Sequence, residues 1–436
     1  MANRPLSNPH YQTMTLPCGI RVVHRSVDSP VMYCGFMVDC GTRDETTPEL
    51  YGMAHFVEHI LFKGTLKRDS WHINNRMESV GGELNAFTTK EETTYYAIGL
   101  NHDFPRACEL LCDLLFHPTA PQHELEKERE VVIDEIMSYR DTPSELIYDE
   151  FENLLFNQHP LGHNILGNEE TVRTFDHDLC MDFIRQHYLP SRMVFFHQGK
   201  TSFDRVVKAL ERFLDPELKD DARCTMHNAR LNVSDDGGNN RASCIVNREP
   251  SREPSHPIVL HRDTHQSHVL LGSLSYPIGH PNAAALALAN NILGGPCMNS
   301  RLGLELRERR GLVYTVESSI TNYTDAGYFG IYFGCDHEDV ERCLRLCHHQ
   351  LQLLCDEGLS PRQLACAQKQ LCGQLGVGMA NLENNAIALA KNLLRRGRVE
   401  SLDETIQRIM SVTPELIHDV ANQVFNSSML KTVIIQ

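Results

Sequence analysis

The chain has 436 residues, of which 41% are hydrophobic and 22% charged, a composition typical of a folded globular protein. Its 57 acidic and 41 basic side chains give a formal net charge of −16, which argues against a nucleic-acid or anionic-membrane surface, because such surfaces need basic patches. We find no run of the roughly 18 apolar residues that a membrane span requires, and no signal-peptide core near residue 1. A cytoplasmic protein without membrane or nucleic-acid partners is expected.

The 15 cysteines include no C-x-x-C pair, which favours reduced thiols in the core. Cys108 and Cys112, like Cys343 and Cys347, lie four positions apart on helical patterns. A thiolate metal site is one interpretation of these pairs. Core packing is the one that we favour, because free cysteine is among the most buried residue types.

The first half of the chain alternates strand and helix patterns. Runs of β-branched and aromatic residues predict strands, and a 3.6-residue apolar period predicts helices. In chain order the patterns predict a strand, two helices, a β-rich segment and two further helices, over 31–42, 52–65, 70–82, 83–100, 102–118 and 121–141.

A polar segment, 217–257, has the composition of a linker, and the same order of elements follows it. A strand, two helices, a β-rich segment and a helix are predicted over 267–279, 282–295, 300–311, 312–334 and 337–354. We therefore predict an α+β fold of two homologous domains, each a mainly antiparallel β-sheet covered by helices. The expected boundaries are 1–216 for the first domain, 217–257 for the linker and 258–436 for the second domain.

The stretch "GMAHFVEHILFKGT" is almost wholly apolar, yet it contains His55, Glu58 and His59. Positions i, i+3 and i+4 share one face of a helix, so these side chains point the same way. Two histidines four apart can chelate one metal ion, and the glutamate lies beside it. Histidines satisfied within the core are the alternative, but an unpaired buried carboxylate beside them is costly.

A catalytic zinc ion needs a third protein ligand and an open position for water. On the predicted helix 121–141, Glu128 and Glu135 fall within the apolar arc, two turns apart. Their placement fits a role at the metal. It also fits a rim position from which both carboxylates reach water, and the helical pattern leaves the two interpretations open.

The internal repeat separates these groups from the needs of packing. The two halves can be aligned at two places, Ile60-Leu61 with Ile292-Leu293 and Leu125 with Leu364. This alignment pairs the five candidate site residues with residues that cannot form the site. His55, Glu58, His59, Glu128 and Glu135 align with Ala287, Asn290, Asn291, Ala367 and Gln374, respectively. Since the second half builds the same helices without these groups, packing does not require them in the first half.

The motif His55-Phe-Val-Glu58-His59, with Glu135 downstream, resembles the pitrilysin, insulin-degrading-enzyme and mitochondrial-processing-peptidase family of inverted-motif zinc metallopeptidases. The flanks "GGELNAFTTKEETTYY" and "EKEREVVIDEI" and the order of elements extend the resemblance to a small two-domain member of bacterial type. The resemblance implies that His55, His59 and Glu135 bind one zinc ion per chain. Glu58 would be the base, and Glu128 would support the metal site.

The resemblance implies substrate contacts as well. Arg307 and Tyr314, in "SRLGLELRERRGLVYTV", match an Arg and a Tyr that in family members reach the scissile carbonyl and its neighbours. Whether they act in their own chain or across a dimer stays open. The strand around Asn85 and Ala86 would pair with extended peptide backbone by strand addition, although Asn85 also fits a turn or edge position.

The resemblance thus implies a zinc-dependent endopeptidase that hydrolyses short or unfolded peptides inside a chamber, with zinc-bound water activated by Glu58. A homodimer is expected, and a heterodimer with a non-catalytic homologue is the alternative assembly. A non-catalytic or partner-dependent subunit of a processing peptidase or assembly complex is the alternative function. The presence of His55, His59 and Glu135 as well as Glu58 weighs against the non-catalytic form, because such subunits lose these residues.

Overall fold

The computed structural model describes residues 11–157, 159–214 and 256–436, so all but the last two residues of the predicted linker lie outside it. The described chain forms two compact units. The first contains 11–138, 163–214 and 379–401, and the second contains 139–157, 159–162, 256–378 and 402–436. Each unit is built around one β-sheet.

The first sheet has six strands in the order β1-β2-β6-β3-β5-β4. All neighbours are antiparallel except β2 and β6, which run parallel. In chain order the strands are β1 Tyr11–Thr15, β2 Arg21–Ser26, β3 Val31–Val38, β4 Glu83–Thr88, β5 Thr93–Leu100 and β6 Met193–Gly199.

The second sheet has five strands in the order β7-β11-β8-β10-β9, and only β7 and β11 are parallel. The strands are β7 Ile258–Leu260, β8 Ser267–Ser275, β9 Val313–Asn322, β10 Gly327–Cys335 and β11 Lys431–Ile435. This order repeats β2-β6-β3-β5-β4 of the first sheet, including the single parallel pair. The predicted α+β fold of two similar, mainly antiparallel sheets is thereby confirmed.

Fourteen α-helices accompany the sheets within the described residues. They are α1 Met53–Leu61, α2 Ser70–Glu78, α3 Phe104–Phe116, α4 Gln122–Arg140, α5 Pro143–Phe156, α6 Glu169–Thr174, α7 His177–His187, α8 Phe203–Phe213, α9 Ala283–Gly294, α10 Val340–Glu357, α11 Pro361–Gly378, α12 Leu382–Arg396, α13 Leu402–Met410 and α14 Pro414–Val424. None of the helices in the described part of the chain is both long and apolar enough to cross a membrane.

The compact units differ from the two sequence halves because each half contributes one helix to the other unit. Helix α5 belongs to the second unit, where Ile147 and Phe151 pack with Leu270 and Val433 of its sheet. Helix α12 belongs to the first unit, where it packs against β3 and β6. Both sheets therefore have apolar side chains on both faces. The boundaries 1–216, 217–257 and 258–436, as a division of the sequence, stay a prediction.

Two further details refine the sequence interpretation. The helix expected over 300–311 is largely a π-helix, Gly303–Glu308, in which the amide of Arg309 donates to the carbonyl of Leu304. The paired cysteines Cys108, Cys112, Cys343 and Cys347 are free and buried in the core, as the packing interpretation predicts.

Candidate functional site

The candidate site begins at the N-terminus of helix α1. Gly52 has φ = 96°, and a Cβ there would lie 2.6 Å from the carbonyl oxygen of Leu166, so the turn into the helix requires glycine. The buried carboxylate of Glu45 accepts hydrogen bonds from the amides of Gly52 and Ala54, both at 2.9 Å. These bonds satisfy amides that have no partner within the helix, and they hold α1 in a defined orientation.

Helices α1 and α4 bring His55, His59 and Glu135 together. The Nε2 atom of His55 lies 3.6 Å from Glu135 Oε1, and that of His59 lies 3.5 Å from Glu135 Oε2. One ligand atom from each residue lies within 4.8 Å of the other two, the only such group of three or more among the described residues. Two imidazole nitrogens and one carboxylate form a donor set that suits a catalytic zinc ion.

Glu128 contacts this group through His59. One of its carboxylate oxygens lies next to His59 and the other next to Lys63. Its Oε1 is 2.8 Å from His59 Nδ1, and its Oε2 is 2.6 Å from Lys63 Nζ. Burial raises the pKa of Glu128, but the hydrogen bonds from His59 and Lys63 outweigh burial and lower it. When His59 is neutral, a hydrogen bond from its Nδ1–H to the ionised Glu128 leaves the lone pair on Nε2, the ring nitrogen that lies near Glu135.

His55 is held as a neutral imidazole. Burial, with a smaller contribution from the neighbouring His59, lowers its pKa to about 3. A neutral ring offers a lone pair to a metal at neutral pH, whereas a protonated ring does not. Its other ring nitrogen, Nδ1, is buried and makes no hydrogen bond within the described part of the chain.

The side chain of Glu58 extends from helix α1 to the end of strand β4. The hydroxyl of Thr88, the last residue of β4, donates to Glu58 Oε2 at 2.6 Å. Burial raises the pKa of Glu58, and the Thr88 hydrogen bond opposes that shift. The result is a carboxylate in a fixed orientation whose proton affinity exceeds that of an exposed glutamate, a property that suits a general base.

Asn85 and Ala86 lie on β4, the edge strand that also contains Thr88. They pair with Tyr96 and Tyr95 of β5, respectively, and the opposite edge of β4 has no strand partner among the described residues. An unpaired edge offers backbone N–H and C=O groups to an extended peptide. This edge belongs to the strand whose last side chain holds Glu58.

Arg307 and Tyr314 belong to the second unit. Arg307 lies on the π-helix and donates from Nε to Glu308 Oε1 at 2.9 Å. Tyr314, the second residue of β9, is 84% exposed. Neither side chain is required by the core, so both are available for contacts outside their unit, and their roles stay predictions.

Sequence reasoning did not single out Thr88 or Lys63. Thr88 follows Ala86 by two positions, which places both side chains on one face of a strand. Lys63 follows His59 by four positions, close to the end of the helix, so both point toward Glu128. The spacing indicates that each residue lies on the same face as a candidate site residue. Only the packing of the helices and the strand shows that Thr88 contacts Glu58 and that Lys63 contacts Glu128.

Known proteins place this arrangement in a family. A model described as insulinase, peptidase family M16, matches residues 21–169, and one described as peptidase M16 inactive domain matches 174–371. A relative from Streptomyces coelicolor, named an uncharacterized zinc protease, is 33% identical over 413 residues, which cover 94% of this chain and 86% of that protein. The chain belongs to peptidase family M16.

A second relative has the same kind of name, and a solved structure shares the fold. A protein of Bacillus subtilis, also named an uncharacterized zinc protease, is 31% identical over 391 residues, which cover 90% of each chain. The fold matches a protease from Helicobacter pylori with a TM-score of 0.84 at 20% identity, over 98% of this chain and 100% of that one. In this M16 chain the metal-binding candidates lie within the insulinase match, and the inactive-domain match includes Ala287, Asn290 and Asn291.

Proposed function

We propose that this chain is a zinc-dependent endopeptidase that hydrolyses short or unfolded peptides. The observation that carries the proposal is the convergence of His55, His59 and Glu135, with ligand atoms within 4.8 Å of one another. One zinc ion per chain, held by these three side chains, would supply Lewis-acid activation of water and of the peptide carbonyl. The names of the zinc protease relatives support the choice of metal.

Glu58 is proposed as the general base. Its carboxylate would accept a proton from the attacking water and later return it to the leaving amine. The hydrogen bond from Thr88 supports this role because it fixes the orientation of the carboxylate. The raised pKa of Glu58 supports it too, since a carboxylate that holds a proton more strongly is a better base.

The substrate would bind as an added strand along β4, near Asn85 and Ala86, which brings its backbone alongside the strand that ends at Thr88. Arg307 and Tyr314 are proposed to contact the scissile carbonyl and its neighbours, from the same chain or from the second chain of a homodimer. We propose that the paired chains enclose a chamber, which would admit short or unfolded peptides and exclude folded proteins.

The decisive experiment uses the purified full chain, a fluorogenic peptide, a chelator and added zinc. We expect chelation to abolish cleavage and zinc to restore it. Glu58→Gln should retain zinc by metal analysis and lower kcat at least about a hundredfold. Glu78→Gln, an exposed acid on α2, is the matched control and should cleave at the parental rate.

Two results would change the proposal. Cleavage by Glu58→Gln at the parental rate would overturn the assignment of the base. A zinc-loaded parental chain that is silent alone and active with a homologous chain would favour a partner-dependent subunit.

A further inference from the structure

The second unit contains a cavity of about 330 Å³ between helix α9, the segment that follows it and the start of helix α11. Among its lining residues are Asn291, Ser300, Arg301, Arg362, Cys366 and Ala367. All of them belong to the second unit, so the cavity is a feature of that unit alone.

The repeat identifies where this cavity lies. Asn291 aligns with His59, and Ala367 aligns with Glu128. Helix α9 contacts β9 as helix α1 contacts β4, and the two strands occupy equivalent edge positions. The cavity therefore adjoins the position that corresponds to the candidate metal centre of the first unit. It has an amide in place of the imidazole of His59 and a methyl group in place of the carboxylate of Glu128, whereas the counterparts of His55 and Glu135 do not line it.

The charge at this place is reversed. Two arginines, Arg301 and Arg362, line the cavity, and its lining contains no acidic side chain. Burial lowers the pKa of Arg301, and the charge of Glu357, at the end of α10, opposes that shift. Arg362 lies in the first turn of α11, where the helix dipole adds a partial positive charge. A cation would be repelled here, and an anion would be attracted.

Asn291 adds an unpartnered hydrogen-bond donor beside the cavity. It is 7% exposed and lines the cavity, yet its Nδ2 donates no hydrogen bond to any described residue. Buried donors without partners are rare and costly in native proteins. Nδ2 itself is inaccessible to solvent, so an oxygen atom in the cavity would reach this donor only through a rotation of the amide. An anionic oxygen would also bring the negative charge that the arginines attract.

We propose that this cavity binds an oxyanion, a carboxylate or phosphate group, through Arg301, Arg362 and the amide of Asn291. Two sources share this chemistry: free inorganic phosphate and the terminal carboxylate of a peptide. The proposal does not rest on peptidase activity, since the cavity contains none of the candidate zinc ligands. It can therefore hold or fail separately from the proposed function.

Cys366 is exposed and lines the cavity, so its alkylation reports on the local charge. We would treat the full chain with iodoacetate or iodoacetamide and follow Cys366 by peptide mass spectrometry. The measured quantity is the ratio of the alkylation rate with iodoacetate to that with iodoacetamide. For Cys366 this ratio should be at least about tenfold higher than for glutathione, because a positive cavity concentrates anions. Millimolar inorganic phosphate should remove this preference at constant ionic strength.

Substitutions identify the groups responsible. Arg301→Gln and Arg362→Gln should each bring the reagent preference close to that of glutathione, and Asn291→Leu should weaken competition by phosphate about tenfold. Arg345→Gln makes the same charge change on an exposed arginine of α10 and should behave as the parent. Arg362 is exposed, so its variant keeps the test valid if Arg301→Gln fails to fold.

The competitors separate the two sources. An N-acetylated dipeptide with a free carboxylate should compete more strongly than phosphate, and its amide should not compete, if the peptide terminus is the ligand. Phosphate should be the stronger competitor if free phosphate is the ligand, and competition by neither would overturn the proposal. Competition by either one supports an oxyanion site. No anionic preference in the parent chain, or a preference equal in the parent and both arginine variants, would overturn the proposal.

Discussion

The hydroxyl of Thr88 donates a hydrogen bond of 2.6 Å to Oε2 of Glu58. Thr88 ends the edge strand β4, and Glu58 lies on helix α1 between the two histidines. The contact thus joins the proposed peptide-binding strand to the proposed base. A peptide paired with β4 would therefore be bound by the same strand whose last residue, Thr88, orients Glu58.

Replacing Thr88 tests this link. Thr88→Val keeps the shape of the side chain but removes the donor, so we expect kcat to fall about tenfold, because hydrogen bonds to charged groups are among the stronger ones. Zinc content should not change, since Thr88 is not one of the three candidate ligands. Thr88→Ser restores the hydroxyl and should restore kcat. Parental kcat in Thr88→Val would show that the hydrogen bond does not position the base.

Glu128→Gln tests the support of His59. The change removes the negative charge of the group that accepts a hydrogen bond from His59 Nδ1. Loss of such a partner typically weakens metal binding, so we expect zinc affinity to fall about ten- to a hundredfold. Competition with a fluorescent chelator measures the affinity. Glu126→Gln, an exposed acid on the same helix, is the control. Equal affinities for the two variants would contradict the role assigned to Glu128.

The buried pair His24 and His197 predicts a pH dependence of stability. Their Nδ1 atoms lie 3.0 Å apart, and burial lowers the pKa of His24 to about 4 and, with the charge of His24, that of His197 to about 3. An unfolded histidine has a pKa of about 6.5, so the unfolded chain binds more protons below that pH. The stabilisation is therefore complete above about pH 6.5 and is lost as the pH falls toward the folded-state values.

The test is chemical unfolding between pH 7 and pH 4 in the presence of a chelator. His197→Gln removes one of the two groups, so the slope of unfolding free energy against pH should decrease by up to about 1.4 kcal/mol per pH unit. His123→Gln, at an exposed position of α4, is the control. A parental slope in His197→Gln would show that this pair does not control acid stability.

Arg395 connects helix α12 to the first sheet. Its side chain is 7% exposed and forms ion pairs with Asp39 and with Glu92, whose own side chain is 2% exposed. Arg395→Met leaves the Glu92 carboxylate buried with fewer partners, so we expect the unfolding free energy to fall by about 3–5 kcal/mol. Arg185→Met breaks an exposed pair with Asp182 and should cost less than about 1 kcal/mol. Similar losses would show that Arg395 contributes no more than a surface residue.

The local parts of the site were readable from the sequence. The face shared by His55, Glu58 and His59 depends only on the period of one helix, and the repeat shows which groups packing does not require. The order of elements was also sufficient to predict two similar antiparallel sheets. It did not predict β6 and β11, since each lies between two consecutive strands from which it is far removed in sequence.

Long-range packing decided the remainder. The helical pattern placed Glu128 and Glu135 on one arc without separating them, and only the packed helices direct Glu135 toward both Nε2 atoms and Glu128 toward Nδ1 of His59. Likewise, the exchange of α5 and α12 and the cavity beside Asn291 have no local signal. Spacing along a helix or strand determines which way a side chain points, whereas its partner depends on contacts between segments far apart in the chain.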